Sequence, residues 1–318
     1  MQHQKVFVAA PTPWSHPSYQ AVATLVESLA VIGVCPVQTP RLLGQIIHKM
    51  PWFPSSRRNR TILVPMVGPQ WPSLGAAYAK GRPVVFAWDM WESEIVAWAE
   101  NLNRFQVPLT LVTSTASQQL LERSDYLGRV SYIADAIRVS DFLAGEPLAA
   151  RANTVLELGR RHDAWHQATI ETTSINGIQH LFEKEKGEVV FPARAQLVEG
   201  LAKAAVSVCF PKSMTDPAGA RGVEALTQRY LESMASGCLI LGHSPADLTA
   251  LFGYNPVIEV DWDEPAGQLL SVLSNINSYQ TLIERNGSRL REVGDWAQRC
   301  VEILEFLTDQ GCETPCKS

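Results

Sequence analysis

A chain of 318 residues, 46% apolar and 19% charged, has the length of two ordinary domains at about 150 residues each, or of one large α/β domain. That composition excludes a mainly disordered state, and 27 Lys and Arg against 32 Asp and Glu, a formal charge of −5, exclude a protein wrapped on nucleic acid. The apolar run at residues 6–10 is too short for a signal-peptide core, and no apolar stretch reaches the ~20 residues of a membrane span, so the chain reads as cytoplasmic. Six cysteines in so long a chain do not make a disulfide framework, and Cys312 and Cys316, with no histidine near them in sequence, make a poor metal site.

In chain order, residues 6–10 predict a first strand. Residues 18–32 then carry Ala21, Val22, Leu25, Val26, Leu29 and Ile32 on one helical face, closed by Gly33. Strands over 61–67, 83–87, 109–113 and 129–133 follow, separated by helices over 73–80, 93–103 and 116–126. Residues 138–152 lack a strand pattern and contain Gly145 and Pro147, the marks of a linker. The alternation restarts with strands over 154–158, 188–191 and 206–210, a helix over 228–236, and strands over 238–241 and 257–260. Helices over 267–276, 279–293 and 296–307 complete it. This alternation predicts parallel sheets with helices on both faces. The expected division is a first Rossmann-like domain over 1–137, a linker over 138–152, a second Rossmann-like domain over 153–295, and a C-terminal helix and tail over 296–318 packing back toward the first domain. Ligands of open parallel sheets sit outside the carboxyl ends of the strands, so the loops that follow strands are the candidate functional segments.

The common nucleotide and hydrolase fingerprints are missing. No G-x-G-x-x-G follows the first strand, and the chain has no G-x-x-x-x-G-K-[ST], no G-x-S-x-G and no H-E-x-x-H. The informative segment is 222–245, GVEALTQRYLESMASGCLILGHSP. It sets Glu224 and Glu232 eight positions apart around the start of a helix closed by Gly237. A helix start offers unpaired N–H groups and partial positive charge to a phosphate, and a carboxylate one turn in is an acceptor for ribose hydroxyls. A solvated helix face also carries two glutamates at this spacing.

The whole segment resembles the C-terminal half of GT-B glycosyltransferases, in particular glycosyltransferase family 4 and its short CgeB-like relatives. In these, two glutamates precede a phrase like LEAMASGCPV, here Leu231, Glu232, Ser233, Met234, Ala235, Ser236, Gly237, Cys238, Leu239 and Ile240. The likeness covers roughly residues 205–307, including the final tryptophan-bearing helix. It implies an α/β fold of the GT-B class, two Rossmann-like doubly wound domains with an inter-domain cleft. It also implies transfer from a nucleotide diphosphate sugar, retaining and without metal or other cofactor, UDP- or GDP-sugar being the guessed donor.

By that resemblance Glu232 binds the ribose and Glu224 the sugar in transfer, although the usual Glu-x-Phe-Gly is Glu224, Ala225, Leu226, Thr227 here. Arg160 after Gly159 holds the diphosphate. The family's second basic residue is missing, with Arg161 or His166 as substitutes. Phe191 begins the base-reading loop, and Lys212 and His243 follow later strands. On the acceptor side, Trp14 and His16 follow the first strand, Asp89 is a candidate base, and Trp91 is a candidate ring-stacking surface. The basic, aromatic stretch 48–60 is a candidate peripheral contact with an anionic membrane. The alternative is a nucleotide-sugar-binding protein without transfer, a sensor or a partner of another transferase, on the same scaffold.

Overall fold

The computed structural model describes residues 4–11, 18–50, 60–185, 189–308 and 312–313. By their contacts these fall into two units, one of residues 1–134 with 296–318 and one of residues 135–295.

In the first unit the strands are β1 (Gln4–Pro11), β2 (Cys35–Thr39), β3 (Arg60–Val67), β4 (Arg82–Trp88), β5 (Leu109–Val112) and β6 (Arg129–Tyr132). The intervening helices are α1 (Ser18–Val31), α2 (Arg41–Lys49), α3 (Trp71–Lys80), α4 (Ile95–Arg104) and α5 (Thr115–Glu122). All strand pairs are parallel. The order is β1-β3-β4-β5-β6, with β2 on the other side of β1. β3 and β4 are buried almost end to end, as strands covered on both faces must be. Ile62, Val64, Met66, Leu74, Trp98 and Leu102 sit in the core between sheet and helices.

The second unit has β7 (Thr154–Glu157), β8 (Gln179–Leu181), β9 (Val206–Cys209), β10 (Leu239–Gly242) and β11 (Ile258–Glu259). Its helices are α6 (Asp163–Ile175), α7 (Arg194–Lys203), the single turns α8 (Lys212–Thr215) and α9 (Pro217–Ala220), α10 (Gln228–Ala235), α11 (Ala246–Phe252), α12 (Pro265–Ser274) and α13 (Gln280–Val293). The sheet is again all parallel, in the order β11-β10-β9-β7-β8. After α13 the chain returns to the first unit as α14 (Trp296–Thr308), which packs on α1, and β12 (Cys312–Glu313), which pairs with β1. Trp296 is buried beside Trp88 and Phe86.

Two strand expectations need correction. Of the strand expected over 188–191, residue 188 lies outside the described residues and residues 189–191 are irregular; the second strand of this unit is β8 instead. Gln179, His180 and Leu181 carry no apolar run, and the burial of a histidine side chain in that strand is made tolerable by Glu157, which accepts a hydrogen bond from it. The first unit also contains β2 and α2, for which the sequence shows no strong pattern. β2 is an edge strand with mostly exposed side chains, so no buried face imposes an alternation on it. No helix among the described residues is long and apolar enough to cross a membrane.

Candidate functional site

In both sheets the strand order reverses beside the first strand, between β1 and β3 and between β7 and β9. Chains leaving such neighbouring strands go to opposite faces of the sheet and open a crevice at their carboxyl ends. In the second unit the crevice is bounded by the loops after β7, β9 and β10.

The loop after β7 begins with Gly159, whose φ of +67° lies in the left-handed region that glycine enters without cost. A Cβ at 159 would lie 2.8 Å from Nη2 of Arg229, the movable end of that side chain. Arg229, the second residue of α10, thus lays its guanidinium against the Gly159 backbone, next to the exposed Arg160. A cation in the first helical turn opposes the helix dipole, so this position carries a local electrostatic cost that a bound anion would remove. No motif marks Arg229, although an arginine in the first turn of a helix with no acidic residue there is a usable signal.

One turn further along α10, Glu232 is mostly buried, and its Oε1 accepts from Nη1 of Arg194 at 3.1 Å. Arg194 starts α7, and its guanidinium also lies 4.5 Å from the centroid of the Phe142 ring. Tyr230, between the two charged positions, points inward and donates from its hydroxyl to the His243 carbonyl at 2.7 Å; burial pushes that phenol well above its usual range.

Glu224 and His243 come together in the loop after β10. Oε1 of Glu224 accepts from the Ala246 N–H at 2.7 Å, capping α11, and its Oε2 is 3.3 Å from His243 Nε2. His243 Nδ1 faces Glu259 Oε2 at 3.0 Å, and Glu259 also accepts from the Ser244 N–H at 2.9 Å. A Cβ on Gly242 would overlap the Cys209 carbonyl, so only glycine lets the ends of β10 and β9 approach this closely.

The remaining expected residues lie elsewhere. Arg161 is held at the β8 side, donating to the Glu183 carbonyl at 3.2 Å and lying 5.8 Å from the Phe182 ring centroid. His166 is not in the phosphate loop at all. It is buried on α6 with Nδ1 2.6 Å from Glu157 Oε1, and so cannot serve as the second basic residue. The Phe191 ring packs against Gly200 of α7. Lys212 starts the α8 turn with Nζ 3.8 Å from Asp216 Oδ2. Beside the loop after β7, His162, Phe210 and the half-exposed Trp262 form an aromatic cluster with centroids 4.6–5.8 Å apart, and burial lowers the His162 pKa.

In the first unit, Asp89 follows β4 with φ +52°, a left-handed conformation that costs a residue with a Cβ of order 1 kcal/mol. Its side chain is exposed, while Trp91 is only 8% exposed. Trp14, His16 and residues 51–59 of the basic stretch lie outside the described residues.

No protein-family model matches the chain, and no curated protein does. Solved structures do match along nearly the full length. Anabaena Alr3699/HepE in complex with UDP and glucose has a TM-score of 0.62 at 11% identity, covering 96% of this chain and 100% of that one. A glycosyltransferase from Rickettsia africae ESF-5 has a TM-score of 0.61 at 10% identity, covering 97% and 99%. An alpha-glucosyltransferase in complex with UDP and a 13-mer DNA containing a HMU base has a TM-score of 0.59 at 10% identity, covering 96% and 100%. The chain has the α/β fold of these GT-B glycosyltransferase structures, two parallel sheets with their helices. Sequence identity of 10–12% carries that fold and no activity.

Proposed function

We propose that the chain is a glycosyltransferase whose second unit binds a nucleotide diphosphate sugar. The observation that carries this reading is the convergence of Arg229 on the Gly159–Arg160 loop, one helical turn from the Glu232 carboxylate. Two guanidiniums can bridge the oxygens of a diphosphate by paired N–H···O contacts, and they stabilise the negative charge that grows on the diphosphate as it leaves. Glu232, oriented by Arg194, accepts from the ribose hydroxyls. Arg229 fills the role for which the sequence offered only Arg161 or His166.

In the reaction the acceptor hydroxyl oxygen bonds to the anomeric carbon as the bond from that carbon to the diphosphate breaks. Phosphate charge is balanced by side chains, which suits a metal-independent, retaining transfer in which no protein nucleophile is needed. Glu224 and His243 contact the sugar, and Asp89 of the first unit contacts the acceptor hydroxyl as its base. UDP is the first nucleotide to try, because several of the similar structures hold it.

A second reading, nucleotide-sugar binding without transfer, is favoured by Glu224, whose two oxygens are engaged by the Ala246 N–H and by His243. A thermal-shift panel of UDP, GDP, ADP, TDP and CMP, followed by hydrolysis and transfer assays with the matching sugar nucleotide, separates the two. One diphosphate should raise Tm by linkage, and its sugar conjugate should be consumed. Glu232→Ala should weaken binding by about 10–100-fold, the worth of hydrogen bonds to a charged group. No shift with any nucleotide at millimolar concentration overturns both readings, and binding without consumption selects the second.

A further inference from the structure

A separate cluster lies behind the β7 loop, on the interior side of the sheet. Glu157 is the last residue of β7, His166 lies on α6 and His180 on β8, and the three side chains are 3–6% exposed. Oε1 of Glu157 is 2.6 Å from His166 Nδ1 and 2.8 Å from His180 Nε2, and the three ligand-type atoms all lie within 4.8 Å of one another. Phe182 closes the space, its ring centroid 4.5 Å from His166 and 5.3 Å from His180.

The surroundings of His180 give the second observation. Thr173 donates its hydroxyl to the Ile170 carbonyl at 2.9 Å, and its oxygen lies 3.2 Å from His180 Nδ1, holding the ring with Nε2 turned to Glu157 Oε1 at 2.8 Å. A hydroxyl or carbonyl that fixes the far nitrogen of an imidazole, leaving the near one to a cation, is the usual support of a metal-bound histidine.

We propose that Glu157, His166 and His180 bind one divalent transition-metal ion of the zinc type. Two imidazoles and one carboxylate are a sufficient set for zinc, with a fourth position left to water. Small outward shifts of the two nitrogens from Oε1 bring all three atoms to about 2.0–2.2 Å from a common centre. The ion would tie β7, α6 and β8 together directly ahead of the Gly159–Arg160 loop, setting where that loop leaves the sheet. This inference stands apart from the nucleotide reading and is tested without any nucleotide.

The full chain, stripped with chelator and dialysed, is titrated with ZnCl2 and CoCl2 while bound metal, Tm and the visible absorption of cobalt are followed. One equivalent should bind per chain. At a hundredfold excess over Kd, Tm should rise by about 5–10 °C, and cobalt should give the d–d bands of nitrogen and oxygen ligation without a thiolate charge-transfer band. His180→Gln and Glu157→Gln should abolish binding. Thr173→Val, which keeps all three ligands and removes only the hydroxyl, should weaken it about 10–100-fold. The Cys312→Ser, Cys316→Ser double variant should bind as the parent does. Absence of stoichiometric binding, or binding that survives in a folded Glu157→Gln and is lost in the double cysteine variant, overturns the proposal. Should the ligand variants fail to fold, undiminished affinity in Thr173→Val overturns it equally.

Discussion

The strand-end loops of the two units are built on the same parallel scaffold and are equipped very differently. In the second unit they gather Arg160, Arg229, the Arg194–Glu232 pair and the Glu224–His243–Glu259 chain. In the first unit, among the described residues, the loop after β4 turns Met90 and Trp91 inward and leaves Asp89 exposed in a strained conformation. Among the described residues, one scaffold thus gathers charged side chains at its strand ends in one copy and sets an exposed carboxylate beside inward-turned apolar side chains in the other. The difference lies in which side chains the loops present, and it is there that chemistry has to be sought.

Glycine contacts offer the largest lever on this contrast. Gly242→Ala forces a Cβ into the Cys209 carbonyl at a φ of +154°, and Gly44→Ala forces one into the Pro72 carbonyl where α2 crosses α3. Each should cost about 3 kcal/mol or more through overpacking. In calorimetry, nucleotide-induced stabilisation should disappear in the first variant and persist in the second; loss in both would mean that binding does not belong to the second unit. Next in size, Arg229→Ala should weaken nucleoside diphosphate binding by about 1.5–3 kcal/mol while leaving the far weaker binding of the bare nucleoside unchanged, as isothermal titration can measure. Equal losses for both ligands would remove the diphosphate role from Arg229. In the first unit, Asp89→Ala keeps the left-handed strain and should leave stability nearly unchanged, whereas Asp89→Gly releases it and should stabilise by up to about 1 kcal/mol. Both should lower transfer to the same degree, and full transfer in Asp89→Gly would remove the side chain from the reaction.

The smallest effect concerns pH. Burial holds His162 below the ordinary value of 6.5, so the unfolded chain takes up its proton first as pH falls. The stability contributed by neutral His162 is therefore complete above pH 6.5 and is lost as pH drops toward the folded value. Tm measured from pH 8 to pH 5 should fall less in His162→Phe than in the parent, and parallel curves would contradict this.

The buried strands of both sheets are legible in the sequence because runs such as 62–67 and 206–209 are mainly apolar, and the helices α1 and α10 announce themselves by stripes closed with glycine. β8 was hidden by the same chemistry that makes it interesting: a strand stabilised by a histidine on a carboxylate shows no apolar period. α6 was hidden likewise, since its inward face is Trp165, His166, Thr169 and Thr173. Of the candidate site, Glu232 and Arg160 stand out by their neighbours in sequence. Arg229, Arg194 and the Glu157 cluster depend on residues 9 to 70 positions apart meeting at strand ends, and no spacing rule along one segment reports such meetings.

The first unit is assembled from two separate stretches of chain, with the second unit lying between them in sequence. The entry and exit of that intervening stretch are fastened to each other: the Ile137 N–H donates to the Gly294 carbonyl at 3.0 Å, and the Val139 N–H to Asp295 Oδ2 at 2.9 Å. An insert whose ends already meet imposes little loop-closure entropy on its host, since the host sees a 161-residue excursion as a short turn. Residues 135–295 are thus a self-closing cassette, bounded at a single point where the chain could be cut, joined or permuted.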